Sequence, residues 1–135
     1  MIKKALQFYY ITDEDAPGLP PLAQVEIVVR AGATMVQFRH KAFSPKLFDE
    51  VAAIRDLANS NSVPFLVNDD IVLAKAVSAD GVHLGQTDES PALARRILGP
   101  DAIVGISVST LEKILPRPSD GKDRPGAQGL PLTPG

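Results

Sequence analysis

Short apolar runs alternate with amphipathic stretches from residue 6 to residue 115, at about 20–25 residues per repeat, and few folds satisfy that rhythm. The segments "LQFYYIT" (6–12), "TMVQFR" (34–39), "VPFLVN" (63–68), "ADGVHLG" (79–85) and "DAIVGIS" (101–107) read as strands. Between the first two, residues 21–33 set Leu22, Val25, Val28 and Val29 on one helical face, with Gly32 as the stop. Ser44 reads as an N-cap and Pro45 as the first helical position before "KLFDEVAAIRDLANS" (46–60). A short helix follows in "DIVLAKAVS" (70–78), and "SPALARRILG" (90–99) repeats the Ser-Pro start and the Gly stop. "STLEKIL" (109–115) opens a fifth helix.

Alternation of this kind gives parallel strands joined by crossover helices, and burial of both sheet faces explains the nearly unbroken apolar runs. An open doubly wound sheet and a closed barrel compete for the pattern. The first turn, "ITDEDAPG", has no G-x-G-x-x-G phosphate loop, which disfavours the nucleotide-binding form of the first. Polar residues follow every strand instead of gathering at one crevice, and this suits a barrel whose site is built from many strand ends. The expected fold class is therefore α/β, of the (β/α)8 TIM-barrel type, with about the first five β/α units present. A closed barrel takes roughly 200 residues or more. Here regular patterning stops near Leu115, so residues 1–115 are expected to form a partial barrel domain. Residues 116–135 hold five prolines and four glycines in twenty positions and read as an irregular or disordered tail.

Composition narrows the function classes. The formal net charge is −2 over 135 residues, without the clustered basic excess of a nucleic-acid surface. No apolar run approaches the roughly 18–20 residues that span a bilayer, so neither nucleic acid nor membrane is an expected partner. Zero cysteines leave no disulfide framework and no thiolate metal site, and "MIKKALQFYYITD" passes into a strand without a cleavage-like segment. The expected location is cytoplasmic.

Chemistry concentrates at the strand ends. Gln37, Arg39 and Lys41 recur at every second position of "VQFRHK", which on an extended segment points them to one side, with His40 facing the other way. A guanidinium fork, an ammonium and an amide donor suit the oxygens of a diphosphate; solvated charges at a strand end are the bland alternative. Asp69 and Asp88 end the third and fourth strands, neighbours in a parallel barrel, where they could share a hard cation such as Mg2+. Helix capping competes for both: Asn68, Asp69 or Asp70 precedes one helix, and Thr87, Asp88 or Ser90 precedes the next. Asn68 could donate to a phosphate or close a local turn. His83 reads as a buried, hydrogen-bonded histidine, and no histidine pair has zinc-ligand spacing. Ser107 could offer a hydroxyl to the barrel mouth, and the sequence shows no base beside it for nucleophilic work.

Taken in order, "YYITD", "GATMVQFRHK", "PFLVNDD", "ADGVHLGQTD" and "IVGIS" give the chain a resemblance to the thiamine-phosphate synthase family from about residue 8 to residue 113. The resemblance implies a TIM-type barrel enzyme, a Mg2+-dependent transferase. It would join 4-amino-2-methyl-5-(diphosphooxymethyl)pyrimidine to thiazole phosphate, giving thiamine phosphate and diphosphate. It assigns Gln37, Arg39, Lys41 and Asn68 to the pyrimidine diphosphate, Ser107 to substrate, and Asp69 and Asp88 to the metal. The implied partners are these small-molecule substrates. No residue is assigned as acid or base, since an electron-rich aminopyrimidine can support a carbocation-like centre while diphosphate leaves.

The chain departs from the family pattern at Asp70 and Val72, where relatives often read Asn-Asp-Arg-x-Asp, and at Ser109, where the thiazole tautomerase branch has a histidine. Strands six to eight, with the thiazole-phosphate loop, have no counterpart. The chain as it stands is therefore expected to turn over weakly or not at all, and to self-associate through unclosed barrel edges. Two alternatives accompany this reading: a tautomerase-branch homologue, and a non-catalytic phosphate-binding half-barrel.

Overall fold

A computed structural model describes residues 7–41, 44–85 and 89–107. Its strands are β1 (Tyr9–Ile11), β2 (Met35–Phe38), β3 (Phe65–Asn68), β4 (Gly81–Leu84) and β5 (Ile103–Ile106). All four pairings are parallel, and the strand order follows the sequence, β1-β2-β3-β4-β5. Four helices connect them: α1 (Pro21–Arg30), α2 (Phe48–Ser60), α3 (Ile71–Ala76) and α4 (Pro91–Leu98). The expected fifth helix and the tail from residue 116 lie outside the described residues.

Side-chain alternation splits the sheet into two unlike faces. On one, Val36, Phe38, Phe65, Val67, Val82 and Val104 share a single apolar core with Val25 of α1, Ile54 of α2, Ala74 of α3 and Ala94 of α4. Fully buried side chains such as Ile54 each stabilise the fold by about 1.5–3 kcal/mol. On the other face stand Tyr9, Met35, Gln37, Leu66, Asn68 and His83, outside that core. All four helices therefore cover the same face. A doubly wound sheet would carry helices on both faces and reverse its strand order at a switch point. Sequential order with one helical layer is the wall of a barrel, as the strand-end polarity predicted.

The ends of the elements follow local chemistry. Gly32 and Gly99 take φ of +101° and +106° just beyond α1 and α4, where a residue without Cβ stops a helix at little cost. Ser44 accepts from the Lys46 amide at 3.3 Å, but Pro45–Leu47 winds as a tight turn and α2 proper starts at Phe48. The start of α1 has only Pro20 before it, and Glu50 of α2 reaches across to accept from the Leu22 amide at 3.0 Å. Buried Gln24 ties the β1–α1 loop together. It accepts from the Tyr10 hydroxyl and the Asp13 amide and donates to the carbonyls of Asp13 and Leu19, all within 2.8 Å.

Candidate functional site

At the carboxyl ends of β2 and β3 lies a cavity of about 510 Å3, a size usual for small-molecule sites. Arg39, His40 and Lys41 line it from the loop after β2; Asn68, Asp69 and Asp70 line it from the loop after β3, and Glu89 borders it as well. The loop after β2 is held from the β1 side. Buried Thr12 accepts from the Arg39 amide at 3.0 Å, and the Glu14 carboxylate accepts from the Lys41 amide at 3.0 and 3.2 Å. Glu14 also pairs with His40 Nδ1 at 3.2 Å, and the His40 ring stacks on Phe38 of the helix-covered face. His40 stacks on that face yet still borders the cavity beside Arg39 and Lys41, so the alternation does not carry it fully to the other side. Among the described residues neither Arg39 nor Lys41 is engaged in an ion pair.

The three polar residues at the end of β3 have separate tasks. Asp70 is the cap of α3, its Oδ1 accepting from the Leu73 amide at 2.8 Å. Asp69 takes a left-handed φ of +59°, a conformation that aspartate tolerates better than most residues. That turn carries it onto β4: its amide donates to the His83 carbonyl at 2.8 Å, and its Oδ1 accepts from the Gly85 amide at 2.7 Å. Asn68 Nδ2 donates to Gln37 Oε1 at 2.9 Å, across to the neighbouring strand. Ser90 caps α4, accepting from the Leu93 amide at 3.1 Å. Asp88 itself, like Ser109, lies outside the described residues.

Arg39, Lys41, Asn68 and Asp69 therefore converge on one cavity. Gln37 does not reach it. Gln37 is 1% exposed and lies beneath Asn68, its Nε2 donating to the Tyr9 hydroxyl at 2.7 Å. Ser107, just past β5, borders no part of this cavity, and the reading that it lacks a base beside it needs correction. His83 Nε2 and Ser107 Oγ are hydrogen-bonded at 2.5 Å, because the two residues sit on adjacent parallel strands two positions out of register. The imidazole lies over Gly105, where a Cβ would come within 2.7 Å of Nδ1. Burial pushes the His83 pKa below its ordinary value; the Asp69 carboxylate opposes that shift and the Arg39 guanidinium adds to it. The imidazole is accordingly neutral at pH 7, able to donate or accept toward Ser107.

The donor set at the cavity fits a hard cation. It offers carboxylate and amide oxygens, no thiolate, and among the described residues no cluster of three metal-binding side chains. Magnesium takes few protein ligands of this kind and completes its shell with water and phosphate oxygens. Sequence reasoning missed Thr12, Glu14 and Glu89. Thr12 and Glu14 follow β1 within a few residues, so the rule that polar residues past a strand end face the site would have found them.

Comparison with known proteins gives concordant matches. A family model described as thiamine monophosphate synthase matches residues 8–126. The thiamine-phosphate synthase of Azoarcus sp. (strain BH72) is 46% identical over 100 residues, covering 73% of this chain and 48% of that protein. The thiamine-phosphate synthase of Bacillus licheniformis is 39% identical over 130 residues, 93% of this chain and 58% of that one. A solved structure, the thiamine phosphate pyrophosphorylase from Pyrococcus furiosus, superimposes with a TM-score of 0.75 at 33% identity, over 85% of this chain and 56% of that one. The chain spans about half the length of the relatives it matches.

Proposed function

This chain belongs to the thiamine monophosphate synthase family, and on that footing we propose that it serves thiamine biosynthesis as a Mg2+-dependent transferase. The proposed reaction condenses the pyrimidine-methyl diphosphate with thiazole phosphate and releases diphosphate. One observation carries the reading: a single cavity is lined by Arg39 and Lys41 on one side and by Asn68 and Asp69 on the other. A purely cationic pocket would suit a bare anion, and a purely acidic one a bare cation. Both signs side by side suit a metal–diphosphate pair.

In this proposal Arg39 and Lys41 hold the diphosphate oxygens, the first by a planar fork and the second by a point charge. Asn68 gives an amide contact beside them, and Ser107 contacts substrate from the tip of β5. Asp69, with Asp88, would hold Mg2+. The ion would supply charge neutralisation to the leaving diphosphate, where electrostatic stabilisation contributes most. No protein nucleophile is required, and the neutral His83–Ser107 pair orients a hydroxyl. A cytoplasmic location fits the cysteine-free composition, and no helix among the described residues is long and apolar enough to cross a membrane. Self-association belongs to the same proposal. Within the described sheet β1 and β5 each pair on one side only, and they expose Ile11 and Ile106.

The test is diphosphate release by this chain from the two substrates, with and without Mg2+. Magnesium-dependent release supports the reading. Binding of Mg2+–diphosphate without turnover supports the phosphate-binding half-barrel instead, and neither binding nor turnover removes both.

A further inference from the structure

Tyr9, Gln37 and Asn68 form a diagonal across the helix-free face. Ile11 is in register with Gln37 and Gln37 with Leu66. Tyr9 therefore stands two residues below the level of Gln37 on one neighbouring strand, and Asn68 two residues above it on the other. Each step moves one strand over and two residues up, a spacing that long polar side chains can bridge. The bonds are made: Gln37 Nε2 donates to the Tyr9 hydroxyl at 2.7 Å, and Gln37 Oε1 accepts from Asn68 Nδ2 at 2.9 Å. Gln37 is buried and touches no part of the cavity, whereas Asn68 lines it. Of the three residues on the diagonal, Asn68 is the one that meets this cavity.

We infer that Tyr9, at the base of the sheet, is a positioning residue for the site, fixing the Gln37 amide and through it the edge that Asn68 offers to a metal–diphosphate ligand. This rests on the function proposed above and names the residues that tune it. A buried amide N–H deprived of its acceptor must find another or bear the cost of desolvation. Without the Tyr9 oxygen the Gln37 amide is free to rotate, and its one remaining anchor is Asn68. The Asn68 carboxamide then loses its fixed direction at the cavity wall. Burial raises the Tyr9 pKa against the smaller opposing effect of the bond to Gln37, so Tyr9, Gln37 and Asn68 are three uncharged side chains.

The experiment compares the full chain with its Tyr9→Phe, Asn68→Ala and doubly substituted forms. The first readout is proton exchange of the Asn68 side-chain amide by NMR, which needs no ligand. Tyr9→Phe is expected to speed that exchange about tenfold, with melting temperature and far-UV spectrum retained. The second is affinity for inorganic diphosphate in the presence of Mg2+. Tyr9→Phe is expected to weaken it about tenfold alone and not at all when Asn68 is already alanine, the signature of one pathway. Unchanged Asn68 exchange in Tyr9→Phe, or losses that multiply in the double variant, overturns the inference. If the unsubstituted chain does not bind Mg2+–diphosphate, the functional reading fails and amide exchange alone decides the positioning role.

Discussion

Two aspartates stitch β3 to β4, one at each end of the strands, each by donating its amide to a carbonyl and accepting an amide on its carboxylate. At the amino end, Asp80 donates its amide to the Phe65 carbonyl and accepts the Phe65 amide on Oδ2, both at 2.8 Å. At the carboxyl end, Asp69 donates to the His83 carbonyl at 2.8 Å and accepts from the Gly85 amide at 2.7 Å. Only Asp69 sits in a left-handed turn, and only Asp69 borders a cavity with Arg39 and Lys41. Similar backbone chemistry is thus structural at one end, and in the proposal above it accompanies a second duty at the other. What separates them is the neighbourhood. A carboxylate becomes a site when cations and space lie beside it.

The glycines offer the sharpest break of this comparison. Gly81 lies at the amino end of β4, and a Cβ there would fall 1.9 Å from the Ile103 carbonyl oxygen. Backbone cannot yield locally, so Gly81→Ala is expected to cost more than about 3 kcal/mol and to leave little folded protein by circular dichroism. Gly105→Ala, whose Cβ would meet the His83 ring first, is expected to stay folded at a cost of about 1–3 kcal/mol, read by denaturant titration.

Next come the aspartates themselves. Asp69→Asn should reduce Mg2+-dependent diphosphate release on the order of 100-fold. Asp80→Asn should leave that rate within about twofold while costing about 1–2 kcal/mol in chemical denaturation through the weakened bond to Phe65. Equal rate losses in the two variants would abolish the distinction drawn here. A smaller effect tests the caps. Asp70→Ala should lower stability by about 1 kcal/mol, and its effect on Mg2+ affinity should stay well below that of Asp69→Asn, since the cap falls on Asp70 and the proposed metal contact on Asp69.

The smallest effect concerns acidity. His83 is half-buried, with Asp69 and Arg39 nearby, and has a folded pKa below its ordinary 6.5, partial burial being the main cause. The unfolded chain therefore takes up that proton first. Its contribution to stability is intact above about pH 6.5 and is lost as pH falls from there through the folded value. His83→Gln should flatten that limb of the stability–pH curve, and an unchanged slope would remove His83 from the account.

Much of this was legible beforehand because strand ends announce themselves. The period of 20–25 residues, Gly32, Gly99 and the Ser-Pro start at Ser90 predicted where elements begin and stop, whereas Ser44 caps a tight turn that precedes its helix. Which of Asn68, Asp69 and Asp70 caps α3 was not legible. The candidates differ by one position, and the choice turns on the φ of Asp69, which depends on where β4 lies. The same limit hid His83–Ser107 and Gln37–Asn68, each bridging separate strands two positions out of register. Gln24 was more accessible. It falls in the apolar stripe of α1 beside Val25, where a polar residue needs partners for all its hydrogens.

The left-handed turn at Asp69 bears on how descendants of this chain are to be interpreted. Apart from glycine and asparagine, few residues tolerate that backbone, and fewer still can also reach across to the Gly85 amide. Sterics and strand pairing would preserve an aspartate here in a lineage that had abandoned chemistry altogether. Its persistence is poor evidence of a working enzyme. Arg39 and Lys41, whose side chains bear no such architectural obligation, are where drift would register first.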